Sequence, residues 1–389
     1  MAVKYDEAKL KLLKSYVEQG LKIAEIAEKM GETYDSVRGA IRLNRLRDDV
    51  PIKVKSKKIR LDENGEEEEP EEYVTKKVAK TEVDKLATAL GERILASFKA
   101  IKIEEPKVCK LEGKIEETSI LTISDVHVGM INTVADRETG KNITTYNHEI
   151  FLKELNNLQE AIFSIHGILS KSYSLKKLVI YMLGDIITND RIFPEQTFEI
   201  EKCVGLQIWD AIPAFANFFN NLLKIYENVE VVCIVGNHGR SNPTQYNEPV
   251  ANNLEFYIYK CWEAQFKDSK RINIIVPETR RYLHKVGKWS HLVEHGDLMK
   301  GFSPTAIETQ LKNLYLNVGQ FDLMAYGHIH KLQDMEISDK VLIKQNGSWI
   351  DKDNYGFEKF KSYSVPKQHF FGCNDKRKET WAYKIDLRS

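Results

Sequence analysis

Two imidazoles one residue apart, in Gly327-His328-Ile329-His330, follow the apolar run 321–326. Asp125-Val126-His127, Gly184-Asp185 and Gly236-Asn237-His238 have the same setting, and His295 stands before Gly296 at the end of another apolar run. A lone His-x-His pair is ordinary on a surface or in a core. Four clusters at four expected strand ends are not. Side chains just past strand ends can converge on one cavity, and Gly184 lets the chain turn sharply beside a ligand. Carboxylate, amide and imidazole donors without thiolate favour manganese, iron or zinc over calcium or the soft metals. The donors exceed what one tetrahedral ion takes, so two ions bridged by a carboxylate fit the count better. Such a pair, roughly 3.5–4 Å apart, suits attack on phosphorus by an activated hydroxide.

The elements that must position these residues begin near residue 117. Short apolar runs at 119–123, 178–183, 229–235, 272–276, 290–293, 321–326 and 341–345 alternate with helical stretches near 147–169, 195–227, 248–267 and 303–317. This alternation predicts an α/β domain with a layered sheet, its chemistry on loops beyond the strand ends.

A chain of 389 residues implies two or three units, and 42% apolar residues can build a sizeable core. Lys plus Arg and Asp plus Glu balance at 57 each, but residues 1–60 hold 15 basic against nine acidic side chains. An acidic run, 62–72, follows. Five scattered cysteines form no C-x-x-C pair, which argues against a zinc knuckle and fits a reducing compartment. The N-terminus lacks the apolar core of a secretion signal, and no apolar stretch approaches about 18 residues. A cytoplasmic protein without membrane contact is expected, in the host cytoplasm if a phage encodes it.

Residues 5–47 read as three short helices, 6–19, 22–30 and 33–46, with Gly31 in the second turn. Arg38, Arg42 and Arg45 lie mostly opposite the apolar side of the third. A helix, a glycine turn and an arginine-bearing helix resemble homeodomain-like or resolvase-type helix-turn-helix modules, which would grip DNA through its phosphates. A three-helix bundle for protein contacts is the alternative. The expected organisation is a helix-turn-helix domain at 1–50, a flexible charged linker at 51–80, an amphipathic connecting helix within 81–116, and a catalytic domain at 117–389. The connecting helix, 81–102, permits a homo-oligomer.

The order D-x-H, G-D, G-N-H, H, G-H-x-H resembles the calcineurin-like metallophosphoesterase superfamily over about two-thirds of the chain. The resemblance implies a two-sheet sandwich flanked by helices, with metals at the strand ends. It implies that Asp125, His127 and His330 hold one divalent ion and Asn237, His295 and His328 the other, with Asp185 bridging. His238 would face substrate, as acid or phosphoryl clamp. Mn²⁺ is the expected ion, with Fe or Zn as alternatives. Protein phosphatases of the superfamily continue G-D-x-x-D-R and G-N-H-E, whereas this chain has Thr188 and Gly239 at the corresponding places. These departures resemble the Mre11/SbcD-like nuclease branch. Arg240 and Arg191 are candidate phosphate clamps. Tyr146 and Asn147 are candidate groove residues. His291 competes with His295 for the fourth motif, but His295 is the one at the strand end. The reading is a phosphodiesterase acting on DNA, analogous to phage or mobile-element nucleases. The alternatives are a small-molecule or cyclic-nucleotide phosphodiesterase or phosphatase, and a DNA-binding regulator on an inactive scaffold.

Overall fold

Apolar runs rich in Val, Ile and Leu form the parallel strands of the second of two units, Met1–Ser97 and Phe98–Ser389. The computed structural model describes residues 5–19, 21–43, 53–58, 71–76, 115–136, 138–193, 196–244, 248–337, 341–354, 356–357 and 363–388.

In the first unit, α1 (Glu7–Glu18), α2 (Ile23–Met30) and α3 (Tyr34–Leu43) close on Leu13, Val17, Ile26, Ala27, Val37 and Ile41. Asp6 caps α1, its carboxylate accepting from the Lys9 N–H at 2.7 Å. Gly31, at φ 63°, ends α2 in the left-handed conformation that glycine adopts without strain. Arg38 is exposed on α3. Arg42 lies on the same helix, while Arg45 and the 81–102 helix fall outside the described residues.

Of the span expected as a flexible charged linker, 51–80, only two stretches fall within the described residues. Strands β1 (Lys53–Lys58) and β2 (Glu71–Lys76) pair antiparallel. Val54, Tyr73, Val74 and Thr75 favour strand, and the register sets Lys57 opposite Glu72 and Lys58 opposite Glu71.

The second unit is a two-sheet sandwich. One sheet has the order β15-β14-β3-β6-β7-β8. Here β3 (Ile115–Ile123), β6 (Tyr173–Met182), β7 (Asn228–Cys233) and β8 (Ile272–Ile275) run parallel, and β14 (Lys367–Cys373) and β15 (Trp381–Asp386) complete an antiparallel edge. The other sheet has the order β12-β13-β11-β10-β9. Its parallel centre is β10 (Trp289–Glu294), β11 (Leu323–Tyr326) and β13 (Val341–Gln345), flanked by antiparallel β9 (Arg281–Val286) and β12 (Gln333–Ile337). Ile120, Val179, Val232 and Phe371 from the first sheet meet Val286, Val293, Leu323 and Ala325 from the second. A hairpin, β4 (Asn132–Ala135) with β5 (Asn142–Tyr146), follows β3.

Among the described residues, four helices flank the sandwich: α4 (His148–Leu169), α5 (Val204–Leu222), α6 (Leu254–Phe266) and α7 (Pro304–Asn317). Phe215 and Phe219 of α5 pack their rings on Trp262 of α6, with centroids 5.6 and 5.2 Å apart. Ile307 and Leu311 of α7 cover the outer face of the second sheet, against Leu292, Met324 and Ile343. No helix among the described residues is long and apolar enough to cross a membrane.

Glu154 of α4 is buried, and its Oε2 has no hydrogen-bond partner among the described residues. Burial, with Asp351 and Asp386 nearby, pushes its carboxyl up to about 9. Between the ordinary carboxyl range and about pH 9, the folded chain therefore holds a proton that the unfolded chain releases, so stability falls as pH rises through that window. Glu154→Gln is expected to raise the stability of this unit at pH 7 by at most about 3 kcal/mol, with almost no gain at pH 4. Urea melts at the two pH values test this, and an equal shift at both would contradict it.

Candidate metal centre

Strand ends β6 and β7 approach until backbone touches backbone. A Cβ on Gly184 would lie 2.5 Å from the Gly236 nitrogen, and one on Gly236 would lie 2.1 Å from Asp185 Oδ1. Glu255, from α6, straps the two ends together. Its Oε1 accepts from the Ile186 N–H at 2.5 Å and its Oε2 from the Gly236 N–H at 2.6 Å. Burial pushes this carboxyl up to about 8.

Asp125, His127, Asp185, His328 and His330 all have φ between 52° and 70°. Left-handed backbone in non-glycine residues costs about 1–3 kcal/mol each and persists where surrounding contacts enforce it. The contacts are present. Asp125 N–H donates to the Gly184 carbonyl at 3.1 Å, and His127 N–H to the Asp185 carbonyl at 3.0 Å. The His328 N–H reaches both Asp125 carboxylate oxygens at 3.0 Å.

Asp125, His127 and His330 bring ligand atoms within 4.8 Å of one another, as do Asp185, His295 and His328. Asn237 Oδ1 joins the second group, 2.9 Å from His295 Nε2, and Asp185 Oδ2 lies 3.0 Å from the same nitrogen. His238 can also reach a cluster, with His127 and Asp185. Its backbone N–H donates to Asp185 Oδ1 at 2.8 Å, while its Nε2 stands 4.0 Å from Asp185 Oδ2.

Proton placement supplies a test of whether these residues fit divalent ions. His295 Nδ1–H donates to the Leu183 carbonyl at 2.7 Å, and His330 Nδ1 lies 2.5 Å from Asp353 Oδ2. Both Nδ1 protons are thereby pinned outward, and each Nε2 is the nitrogen offered inward. His330 Nε2 then faces His127 Nε2 at 3.1 Å. Two inward nitrogens at that distance need a proton or a cation between them. Oxygen and nitrogen donors without sulfur suit manganese, iron or zinc. The residues fit two divalent ions, with Asp185 between the groups.

The electrostatics agree. Burial would lower His295, but Asp185 beside it raises it well above the usual imidazole range. Burial would raise Asp185, and His295 holds it well below the carboxylate range. Burial would likewise lower His330, yet Asp353 brings it to about 8. His127, buried beside His238 and His330, is held well below the usual range. Burial pushes Asp125 up to about 6, with His330 opposing.

A cavity of about 540 Å³ opens on this cluster. Asp185, Asn237, His238, His328 and His330 line it, with Thr188, Phe193, Gln196, Arg240 and Asp353. Arg240 is almost wholly buried; its Nε donates to the Asn237 carbonyl at 2.8 Å, and its guanidinium lies 5.8 Å from the Phe193 ring centre.

Three of the expected substrate contacts need correction. Tyr146 is fully buried, with its hydroxyl donating to the Val126 carbonyl, so it braces the Asp125–His127 turn rather than lining a groove. Asn147 caps α4, its Oδ1 accepting from the Ile150 N–H at 2.9 Å. Arg191 is 86% exposed beside Asp190 and is not in the cavity wall. His291 sits inside the sandwich, its Nδ1 2.9 Å from the Tyr181 hydroxyl, while His295 joins the cluster.

Asp353, Glu255 and Gln196 escaped the sequence reading. Nothing in the polar stretch around Asp353 distinguishes it from surface loop, and Glu255 reads as a helix residue. Asp353→Asn removes the charge behind His330. It is expected to weaken Mn²⁺ binding at the Asp125–His127–His330 group about 10- to 100-fold. Calorimetric titration checks this, and unchanged affinity would refute the supporting role.

Residues 118–332 match the calcineurin-like phosphoesterase family. No curated protein matches the chain. Among solved structures, wild-type Vps29 with zinc from Entamoeba histolytica is 13% identical, with 69% of this chain and 99% of that one covered and a TM-score of 0.29. Vacuolar protein sorting 29 from Cryptosporidium parvum gives 11%, 69%, 98% and 0.30 in the same order. For 5′-nucleotidase from Candida albicans the figures are 10%, 73%, 54% and 0.30. The family match covers more than half of the chain and contains all seven residues proposed as ligands, and the chain belongs to the calcineurin-like phosphoesterases, a family of metal-dependent phosphoester hydrolases.

Proposed function

We propose that this protein is a phosphodiesterase that cuts nucleic acid, with DNA as the favoured substrate and manganese as the working ion. The observation that carries the diester reading is the setting of His238. Its Nδ1 meets a neutral backbone carbonyl, Thr188 O, at 2.8 Å, where a phosphoprotein phosphatase pattern would place a carboxylate. That departure supports the Mre11/SbcD-like branch and, by analogy, a phage or mobile-element origin. For DNA, the support is the three-helix unit with Arg38 exposed on α3.

Two ions bound here would supply an activated hydroxide and neutralise charge on the phosphoryl oxygens. The chain supplies the rest. Asp125, His127 and His330 form one ligand group, and Asn237, His295 and His328 the other, with Asp185 shared. His238 turns Nε2 toward the cavity; with both ring nitrogens protonated, Nε2–H would donate to a phosphoryl oxygen or pass its proton to the leaving oxygen. Arg240 adds positive charge to the wall beside it.

Full-length protein with Mn²⁺ is expected to cleave labelled DNA, less efficiently as salt rises. If DNA and RNA stay intact while a small diester is hydrolysed, the small-molecule diesterase reading replaces this one. Asp185→Asn is expected to lower occupancy of both ions. His238→Asn should keep them and slow turnover by about 10²–10⁴. Elemental analysis beside rates separates the two variants, and metal loss in His238→Asn would make His238 a ligand instead.

A further inference from the structure

Thr188 leaves His238 without the carboxylate that would orient it, and an amide occupies that place. Gln196 Oε1 accepts from the Ile192 N–H at 2.9 Å and the Phe193 N–H at 3.1 Å. Two donors on that oxygen decide which end of the amide is which. Nε2 therefore faces the other way. It donates to the Thr188 carbonyl at 2.5 Å and lies 3.0 Å from His238 Nδ1. His238 Nδ1 is itself 2.8 Å from the same carbonyl. A carbonyl has two lone pairs, so the Gln196 Nε2–H and the His238 Nδ1–H can both end on it. Gln196 is buried, so water does not compete for these bonds.

The same loop is tied down on its other side. Asn189 Nδ2 donates to the His238 carbonyl at 2.7 Å and the Arg240 carbonyl at 3.1 Å. Gln207 Oε1 accepts the Asn189 N–H at 2.7 Å. Thr188 N–H donates to the Val128 carbonyl at 3.2 Å, which links the loop to the Asp125–His127 turn.

We infer that Gln196 is the positioning residue for His238. It holds the Thr188 carbonyl in place to take Nδ1–H, rather than giving its second N–H to Nδ1, so that Nε2 is the nitrogen presented to the reacting phosphoryl group. This rests on the reading of His238 as the imidazole that faces substrate. Without the amide, the carbonyl loses one of its two donors and its hold on Nδ1–H loosens.

Two measurements test it. The first is ring ¹⁵N NMR on histidine-labelled, full-length protein in its diamagnetic zinc form, with His238 identified by the signal lost in His238→Asn. The wild type is expected to carry the proton on Nδ1, and Gln196→Leu to show a mixture of tautomers. An unprotonated Nδ1 in the wild type overturns the inference, as does an unchanged spectrum in the variant. The second is turnover of bis(p-nitrophenyl) phosphate with Mn²⁺. Gln196→Leu is expected to lower kcat roughly 10- to 100-fold with KM and bound manganese unchanged. In a His238→Asn background it should cause no further loss. An equal loss in both backgrounds would mean that Gln196 acts on the loop at large. A wild type inactive on every phosphodiester would sink the diesterase reading, while the NMR result would still decide the role of Gln196.

Discussion

The centre depends on one contact, the backbone-to-backbone approach of Gly184 and Gly236. It sets the ends of β6 and β7 close enough for Asp185 to accept the His238 N–H at 2.8 Å while meeting His295 on its other oxygen at 3.0 Å. Any side chain at either glycine would push the strand ends apart or displace the Asp185 carboxylate. Glu255 spans the same gap from below, taking an N–H from each end. Strand pairing alone stops short of the loops, so it cannot set their separation. The glycines and the buried carboxylate do, and they convert an ordinary parallel sheet edge into a rigid seat.

Burial then decides the charge pattern. A carboxylate in a dry site is costly unless it is paired, and so is an imidazolium. Asp185 and His295 answer each other, as do Asp353 and His330. Burial, with His238 and His330 beside it, outweighs Asp185 at His127 and holds it well below the usual imidazole range, ready as a neutral ligand. Left-handed backbone at five donor residues adds strain to the same few turns. Folding must sustain both costs at once, and the two cores of the sandwich that flank β10 and β11 are what sustain them.

The chain made this centre readable because parallel strands buried on both faces appear as unbroken apolar runs, and the donors follow directly after them. Seven such runs coincide with strands. Strands β4, β5, β9, β12, β14 and β15 match none of these runs: mixed sequences such as Gln333–Ile337 alternate or carry charge on an exposed side, and β14, though buried and inside its sheet, mixes Lys367, Gln368 and His369 with its apolar residues. The residues behind the donors were harder still. Asp353 acts only through His330, and Gln196 only through the Thr188 carbonyl, so their meaning lies in distances that no spacing encodes. Tyr146 failed for the opposite reason: an aromatic in a loop suggests a groove, but its hydroxyl found a carbonyl to satisfy indoors. The pairing of β1 with β2 lies in a stretch whose charge composition carries no strand signal, and only the backbone register shows it.

The neutral partner of His238 bears on substrate through charge. A phosphomonoester dianion gains from an imidazole held as a cation by a carboxylate behind it. A phosphodiester carries a single negative charge and needs less of that field. With Thr188 supplying a carbonyl, no carboxylate meets Nδ1 among the described residues; burial lowers the ring below the usual imidazole range, while Asp185 and the Thr188 carbonyl oppose that shift. Positive potential beside His238 then falls to Arg240, which is fixed to the Asn237 carbonyl and cannot lose its charge. A permanent cation next to an imidazole backed by a neutral carbonyl suits the diester monoanion better than the monoester dianion, and this charge balance supports the diesterase reading independently of the N-terminal helices.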